Sequence, residues 1–185
     1  KNDKGEVIGL IAEEDGKKVA YKAHKAVVLC TGGYEYSKTM RQAFLEGPGV
    51  EGWAFYGTLY NEGDGIRMGL DAGAGMMKAG KAASRIIMPA PIRHNGLRIG
   101  MITPVVGSGH AIVVNQQGKR YAAEHKVTKD PSRYFFYKEA VRFNIDTLDY
   151  ANSPSWFIFD ETLRKAKPLV GTGISTPGYD FIDWG

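Results

Sequence analysis

The sequence predicts a mixed α+β fold in which short strands alternate with short helices. Residues 26–30 are a continuous apolar run, and residues 111–115 are apolar up to Asn115, the pattern of strands that are buried on both faces of a sheet. Residues 37–46 favour a helix, because they begin with a serine that can act as an N-cap and end at Gly47-Pro48-Gly49. No segment repeats with a period of about 20 to 50 residues, which argues against a solenoid or a propeller.

The first part of the chain predicts a hairpin followed by a central strand. Residues 6–13 have strand character, Gly16 can adopt the positive φ of a turn, and residues 19–23 form the returning strand. The apolar run at residues 26–30 then ends at a pair of glycines, so we expect an inner strand of a sheet there. Residues 66–73 repeat apolar positions at helical spacing and predict a second helix.

The second part of the chain predicts further strands after an irregular stretch. Residues 78–104 are expected to be irregular, because prolines interrupt their apolar residues, and we place a domain crossover there. Residues 111–121 predict a hairpin with a Gln-Gln-Gly turn. A helix is expected over residues 134–141, and a short aromatic strand over residues 155–160.

Composition and charge exclude several classes of protein. The chain has 185 residues, of which 43% are hydrophobic and 24% charged, as in a folded globular protein rather than a disordered or collagen-like one. Its net charge of +4 is spread along the chain without a long basic run, which argues against a nucleic acid partner. No stretch approaches the roughly 18 apolar residues of a membrane-spanning helix.

The ends of the chain and its single cysteine give further expectations. The chain starts without a methionine and ends on Phe181-Ile-Asp-Trp-Gly185, so we expect an internal piece of a longer protein. No signal peptide is visible, and the cellular compartment stays open, with the cytoplasm slightly favoured. Cys30 lies in an apolar run, so we expect a buried thiol and no internal disulfide.

Two glycine loops carry the strongest chemical signal in the sequence. One follows the predicted inner strand and the other precedes the second predicted helix. Glycines let a cofactor touch the backbone, amides at a helix N-terminus suit a phosphate, and an acid can accept a hydrogen bond from a ribose hydroxyl. The same pattern also fits two ordinary turns, because neither loop is a full dinucleotide fingerprint. The candidate cofactor-binding residues are Thr31, Gly32, Gly33, Asn61, Gly63, Asp64 and Gly65.

Three runs of residues, taken together, resemble one enzyme family. They are residues 25–33 with Thr-Gly-Gly, residues 61–74 with Asn-Glu-Gly-Asp-Gly, and residues 111–124 with the Gly-Lys-Arg hairpin. In this order they resemble the fumarate reductase and succinate dehydrogenase flavoprotein family, which includes 3-ketosteroid dehydrogenases. The resemblance implies that FAD is the cofactor. It also implies that residues 1–77 are part of an FAD-binding domain and that residues 78–185 are a substrate-capping domain.

The resemblance implies a reaction, and departures from the family pattern bear on the substrate. Members of the family add or remove hydrogen across a carbon–carbon bond next to a carbonyl, and a group on the cap handles the proton. In the dicarboxylate reductases the cap supplies a His, a Thr-Glu pair and an Arg. Here Thr103 fits, as does Asp130 at the acid that follows the family's arginine, but Met88 replaces the His, Pro104 replaces the Glu, and Thr128 or Lys129 stands at the arginine position. We therefore expect an uncharged or singly charged enone or ketone, as for a ketosteroid dehydrogenase.

Two alternatives to this function stay open. One is a fumarate reductase-like dicarboxylate reductase, and the other is a substrate-binding module without activity of its own. The partner expected in each case is a small-molecule substrate, and the resemblance allows an electron-transfer partner or domain outside this chain. No spacing of Cys and His suits a metal.

The candidate catalytic residues come from the cap. They are Thr103, His110, Lys129 and Tyr134. Lys129 or a tyrosine would handle the proton, and Tyr121 and Tyr137 are further tyrosine candidates, whereas His110 also fits a structural role. Apolar and aromatic side chains are expected around the substrate, namely Ile86, Ile87, Met88, Trp156 and Phe157.

Overall fold

The fold is a mixture of short helices and small sheets, as the sequence predicts. The computed structural model describes residues 1–81, 86–103, 105–127, 132–166 and 168–170. The strands in this part of the chain are β1 (Gly9–Glu14), β2 (Lys17–Lys22), β3 (Ala54–Phe55), β4 (Ile87–His94), β5 (Leu97–Ile102), β6 (Ala111–Val114), β7 (Phe143–Asn144), β8 (Asp149–Tyr150) and β9 (Trp156–Phe159). The helices are α1 (Lys38–Phe44), α2 (Gly49–Gly52), α3 (Asp64–Asp71), α4 (Glu124–Val127), α5 (Ser132–Ala140) and α6 (Glu161–Ala166).

Strands β1 and β2 form the antiparallel hairpin that the sequence predicts. They pair in register up to Glu14 and Lys17. The turn between them uses Asp15 and Gly16, whose φ values are 49° and 76°, the left-handed geometry of a two-residue hairpin turn. Most residues of both strands are exposed, so the hairpin contributes little to the core.

Residues 26–30 form no strand, so the prediction of a buried inner strand was wrong. Val28 is 78% exposed, and Cys30 is exposed rather than buried. A strand needs a neighbour that pairs with its backbone N–H and C=O groups, and none of the described strands pairs with this segment. Apolar composition predicted burial, but burial also depends on where another strand lies.

The predicted helices are present with small changes at their ends. The hydroxyl of Ser37 accepts a hydrogen bond from the Met40 amide at 3.4 Å and caps α1, as the sequence predicts. Gly63 precedes α3 with a φ of 87°, a conformation that favours glycine. Helix α5 covers most of the predicted helix over residues 134–141.

The hairpin of β4 and β5 lies where the sequence led us to expect irregular chain, and that expectation was wrong. Its turn is Asn95-Gly96, with φ values of 50° and 78°, and this dipeptide is a strong hairpin signal. Pro89 and Pro91 lie inside β4, which is an edge strand in the order β3-β5-β4. An edge strand tolerates residues without an N–H, so the prolines do not prevent pairing.

The core of the described chain is built around β5. Leu97 and Ile99 are 0% and 1% exposed, and they pack with the buried Tyr36 and Leu59. Strand β5 also pairs in parallel with β3. Residues on both sides of position 77 therefore contribute to one core and one small sheet.

Strands β6 and β9 confirm two further predictions. They pair antiparallel, with Val113 opposite Phe157. After β6 the chain turns back, and the Asn115 amide donates to the Lys119 carbonyl at 2.9 Å. The predicted hairpin at residues 111–121 is therefore present as a turn, but its return is a single bridge at Arg120 rather than a strand.

Candidate functional site

The two predicted glycine loops lie in contact with each other. Gly32 has a φ of 74° and packs against Asn61, so that a Cβ atom on Gly32 would overlap the Asn61 side-chain oxygen. A Cβ atom on Gly65 would in the same way overlap the Thr31 hydroxyl. Close approach therefore favours glycine at both positions, and the positive φ favours it at Gly32 as well. The structure brings together residues that are 29 and 34 positions apart in the sequence.

The second loop passes directly into α3. Gly63 lies against the thioether of Met40, which leaves no room for a Cβ atom. Asp64, in the first turn, is exposed and accepts a hydrogen bond from Arg67 at 2.8 Å. The first amides of a helix have no partner within the helix and carry a partial positive charge. The glycines beside this helix end carry no side chains of their own. Their backbone therefore fits the phosphate and hydroxyl groups of a cofactor such as FAD.

A large aromatic cleft lies beside β5, β6 and β9. Its volume is about 840 Å³, within the range of small-molecule sites. Eight aromatic side chains line it, and they come from both halves of the chain: Trp53, Phe55, Tyr56, Tyr121, Phe136, Tyr150, Trp156 and Phe157. The predicted apolar residues Ile86, Ile87 and Met88 line it as well.

Thr103 lies at the end of β5 and lines the same cleft. It is 3% exposed, and its hydroxyl oxygen has no hydrogen-bond partner among the described residues. A buried hydroxyl without a partner is destabilising by about 1 to 3 kcal/mol. An unpaired polar group in a largely apolar wall is what a binding site offers to a polar atom of its ligand.

Tyr121 is a second polar group in the cleft. Its hydroxyl lies 2.8 Å from the Ser155 hydroxyl, and Ser155 donates to the Asn152 carbonyl at 2.5 Å. Since Ser155 has one proton, Tyr121 donates to it and turns its lone pairs elsewhere. Burial raises the pKa of Tyr121, and its ring stacks on Phe136 with centroids 6.1 Å apart. The phenol is therefore neutral and fixed in direction.

His110 lies apart from Thr103 and Tyr121. Its Nδ1 atom is 2.7 Å from an oxygen of Asp160, and both side chains are about half exposed. Asp160 also accepts from the Leu163 amide at 2.9 Å and so caps α6. The backbone hydrogen bond from Leu163 and then the bond with His110 lower the pKa of Asp160. His110 is absent from the described lining of the cleft.

The other two catalytic candidates are Lys129 and Tyr134. Lys129 lies outside the described residues, as do Pro104, Thr128 and Asp130. Tyr134 belongs to α5.

Among the described residues no cluster of three or more His, Cys, Asp or Glu side chains suits a metal. In the same part of the chain no helix is both long enough and apolar enough to cross a membrane.

Sequence reasoning missed an ion pair beside the cleft between a buried carboxylate and an exposed arginine. The Glu124 side chain is 3% exposed, pairs with Arg120, and accepts a hydrogen bond from the Val113 amide at 3.0 Å. Burial acts to raise the pKa of Glu124, but the hydrogen bonds from Arg120 and Val113 outweigh it and hold the pKa below its ordinary value. The sequence signal for this ion pair was the spacing of four residues between Arg120 and Glu124, just after the hairpin turn.

Comparison with known proteins relates the chain to flavoproteins. A family model described as FAD binding domain matches residues 1–163. The chain is 28% identical over 184 residues to a probable fumarate reductase, Ifc3, of Shewanella frigidimarina (strain NCIMB 400), which covers 98% of this chain and 26% of that protein. It is 25% identical over 182 residues to the 4-oxocyclohexanecarboxylate 2-dehydrogenase of Sinomonas cyclohexanicum, which covers 98% of this chain and 30% of that protein.

A solved structure resembles the chain as well. It is the 3-ketosteroid delta1-dehydrogenase from Sterolibacterium denitrificans in complex with 1,4-androstadiene-3,17-dione, with a TM-score of 0.65 and 26% identity over 95% of this chain and 29% of that one. The chain thus spans less than a third of the length of these relatives. The family match confirms the expected resemblance and FAD as the expected cofactor. The chain belongs to the FAD binding domain family.

Proposed function

We propose that this chain is part of an FAD-dependent oxidoreductase that adds or removes hydrogen across a carbon–carbon bond next to a carbonyl. Its substrate is an uncharged or singly charged cyclic enone or ketone, of the size of a steroid or smaller. The observation that carries this proposal is the aromatic cleft with the unpaired hydroxyl of Thr103 in its wall. Flat aromatic side chains favour contact with a flat hydrophobic ring system, and a hydroxyl can donate to a ketone oxygen.

The cofactor would be held by the two glycine loops. We assign this role to Thr31, Gly32, Gly33, Asn61, Gly63, Asp64 and Gly65, which include the closely packed backbone described above. The exposed carboxylate of Asp64 is free on its second oxygen to accept from a cofactor hydroxyl, since its first oxygen accepts from Arg67. Bound FAD supplies the group that accepts or donates a hydride.

The division into residues 1–77 and residues 78–185 fits a cofactor part and a substrate cap. The cleft takes Trp53 and Phe55 from the first part and Met88 and Trp156 from the second. A substrate between the two parts would be enclosed by both, and water would be kept from the reacting atoms. The shared core around β5 holds the two parts together.

The catalytic candidates divide by their place relative to the cleft. Thr103 would bind the carbonyl oxygen, and Tyr121 is the described tyrosine best placed to take part in proton transfer, since its hydroxyl faces another hydroxyl in the cleft. Lys129 and Tyr134 remain candidates for the same proton. The pairing of His110 with Asp160 favours the structural role for that histidine.

A dicarboxylate is the second candidate substrate. Arg98 lines the cleft and forms no ion pair with another described residue. Glu51, an acid of the same lining, is already paired with Arg93 at 2.5 Å. Arg98 could therefore receive one carboxylate, but the apolar Met88 at the expected histidine position offers nothing to a second one.

The test is a turnover assay of the full-length, flavin-loaded protein. A 3-ketosteroid and a monocyclic ketone are offered with an artificial electron acceptor, and fumarate is offered with a reduced electron donor. We expect turnover of at least one ketone and little or no reduction of fumarate. Rapid fumarate reduction without ketone turnover would establish the second candidate. A flavin-loaded protein that turns over neither class would contradict both.

A further inference from the structure

Arg41 is the most deeply buried charged side chain of the described residues, and the glycine loops and the cleft leave it without a role. It lies in α1 and is 1% exposed. Its Nε atom donates to the carbonyl of Glu35. Its Nη1 atom donates to the carbonyls of Val50 and Trp53, both at 3.3 Å. One guanidinium thus holds three backbone carbonyls from two separate stretches of chain, one at Glu35 and one at α2 and its C-cap.

Two aromatic rings cover the same guanidinium. Its central carbon lies 4.8 Å from the centroid of Phe55 and 5.7 Å from that of Tyr36, within the range of cation–π contact. Burial lowers the pKa of Arg41 to about 10, against the opposing effects of Tyr36 and Glu35. The side chain is therefore a cation at neutral pH, held by carbonyl oxygens and aromatic faces.

The groups that Arg41 holds belong to both proposed sites. Glu35 follows the first glycine loop by two residues, and Tyr36 donates its amide to the carbonyl of Asn61 in the second loop at 2.9 Å. Trp53 and Phe55 line the aromatic cleft. Tyr36 completes the connection, because its hydroxyl donates to the Phe55 carbonyl at 2.7 Å.

The energetic cost of burying Arg41 indicates that this arrangement positions the groups around it rather than adding stability. A buried cation loses its hydration, and packed apolar residues of similar volume often give equal or greater stability. The Nη2 atom of Arg41 has no hydrogen-bond partner among the described residues, so the cost of burial is only partly offset. The planar fork of an arginine can hold several acceptors at fixed angles, which a lysine cannot do.

We infer that Arg41 is a positioning residue that fixes the aromatic wall of the cleft relative to the glycine loops. The inference rests on the proposed function, because the aromatic wall would hold the substrate and the glycine loops would hold the cofactor. Together they would set the distance between the two. Misplacement of a substrate by about 1 Å can cost about a hundredfold in rate. Arg41 acts through Glu35, Trp53 and Phe55 and touches neither cofactor nor substrate itself.

The experiment compares Arg41→Lys with Arg164→Lys in the full-length, flavin-loaded protein. Arg164 is an exposed residue of α6 whose partner is Glu161, so its replacement controls for the loss of a guanidinium. The measurements are KM and kcat for the ketone, FAD affinity by fluorescence titration, and the midpoint of thermal unfolding. All kinetic and binding measurements are made well below that midpoint.

We expect Arg41→Lys to lower kcat/KM about tenfold or more and to weaken FAD binding, while Arg164→Lys changes neither. A variant whose unfolding midpoint falls while kcat/KM and FAD affinity stay at wild-type values would overturn the inference, because Arg41 would then serve stability alone. If Arg41→Lys does not fold, Tyr36→Phe removes the hydroxyl that donates to the Phe55 carbonyl. We expect kcat/KM to fall about threefold for Tyr36→Phe, and an unchanged kcat/KM would overturn the inference.

The two proposals can fail separately. A wild-type protein that binds FAD but turns over no ketone contradicts the proposed function. The FAD affinity of Arg41→Lys can still be measured on that protein, and it tests whether Arg41 positions the glycine loops. A wild-type affinity in that measurement would overturn the inference by itself.

Discussion

Gly65, in the first turn of α3, lies against Thr31 so closely that a Cβ atom on Gly65 would overlap the Thr31 hydroxyl oxygen. The two residues belong to different glycine loops, and their contact sets the distance between those loops. Each loop is predictable from its local sequence, but the contact between them is not.

The first prediction is that Gly65→Ala pushes the loops apart. An overpacked contact costs about 1 to 3 kcal/mol, and we expect the free energy of unfolding to fall by that amount and FAD affinity to fall with it. Gly69→Ala is the matched control in the same helix, because its Cβ would lie at an ordinary 3.6 Å from Leu29. That control should be stabilising by about 0.5 to 1 kcal/mol.

A double variant sharpens this test. Thr31→Ala removes the hydroxyl that the new Cβ would meet, so the free energy of unfolding of Thr31→Ala/Gly65→Ala should exceed that of Gly65→Ala. Chemical denaturation measures the difference. Equal stability of the single and double variants would show that the loops do not meet at this point.

The second prediction concerns the buried carboxylate of Glu124. Glu124→Gln keeps an oxygen for the Val113 amide but loses the charge that faces Arg120. We expect the free energy of unfolding to fall by about 1 to 3 kcal/mol at neutral pH. Glu161→Gln, at the exposed pair with Arg164, is the control and should change stability little.

The same carboxylate predicts a dependence on pH. Because the pKa of Glu124 is lowered below its ordinary value of 4.5 in the folded protein, its stabilising effect is present above pH 4.5 and is lost as the pH falls through the lowered value. The difference between wild type and Glu124→Gln should therefore shrink in acid. Denaturant titrations at a series of pH values measure it, and a difference that grows in acid would contradict the assignment.

The third prediction concerns the phenol of Tyr137. It donates to the carbonyl of Gly80 at 2.7 Å, and its ring stacks on Trp53 with centroids 6.0 Å apart. Burial and then the charge of Glu46 raise its pKa to about 12 from 10.0. The neutral phenol stabilises the fold below pH 10, and this effect is lost as the pH rises towards 12.

Tyr137→Phe should remove that alkaline loss. At neutral pH the variant should be less stable by about 0.5 to 1.5 kcal/mol, because the Gly80 carbonyl loses the phenol and keeps the Glu46 amide, at 3.3 Å, as a donor. Between pH 10 and 12 the gap to wild type should close. Tyr60→Phe, at a tyrosine that is 76% exposed, should show neither effect. A gap that stays constant with pH would contradict the raised pKa.

The parts of the fold that were predicted correctly depend on local features of the sequence. The Ser37 cap, the turn at Gly16 and the glycines of both loops depend on the conformation of a few neighbouring residues. The Asn95-Gly96 turn is equally local, and this dipeptide predicts a hairpin. The nearby prolines led instead to the expectation of irregular chain. Proline is disfavoured in the central strands of a sheet but is tolerated in an edge strand.

The features that could not be predicted depend on residues far apart in the chain. The run at residues 26–30 is apolar and yet exposed, because no described strand lies beside it. Arg41 is charged and yet buried, because three carbonyls from two stretches of chain meet around it. The aromatic residues of the cleft were expected near the substrate, but their convergence with Thr103 becomes visible only in three dimensions.

The last prediction separates binding from stability at Thr103. Valine has the shape of threonine with a methyl group in place of the hydroxyl. Since the Thr103 hydroxyl is buried and has no partner among the described residues, Thr103→Val should leave the free energy of unfolding unchanged or raise it by about 1 kcal/mol. If that hydroxyl binds the ketone oxygen, kcat/KM should nevertheless fall about 10-fold or more, the effect of about 1.4 kcal/mol. Thr103→Ser keeps the hydroxyl and should retain most of the activity. A Thr103→Val protein that is more stable and fully active would show that the hydroxyl does not contact the substrate, whereas one that is much less stable would show that it has a partner in the folded protein.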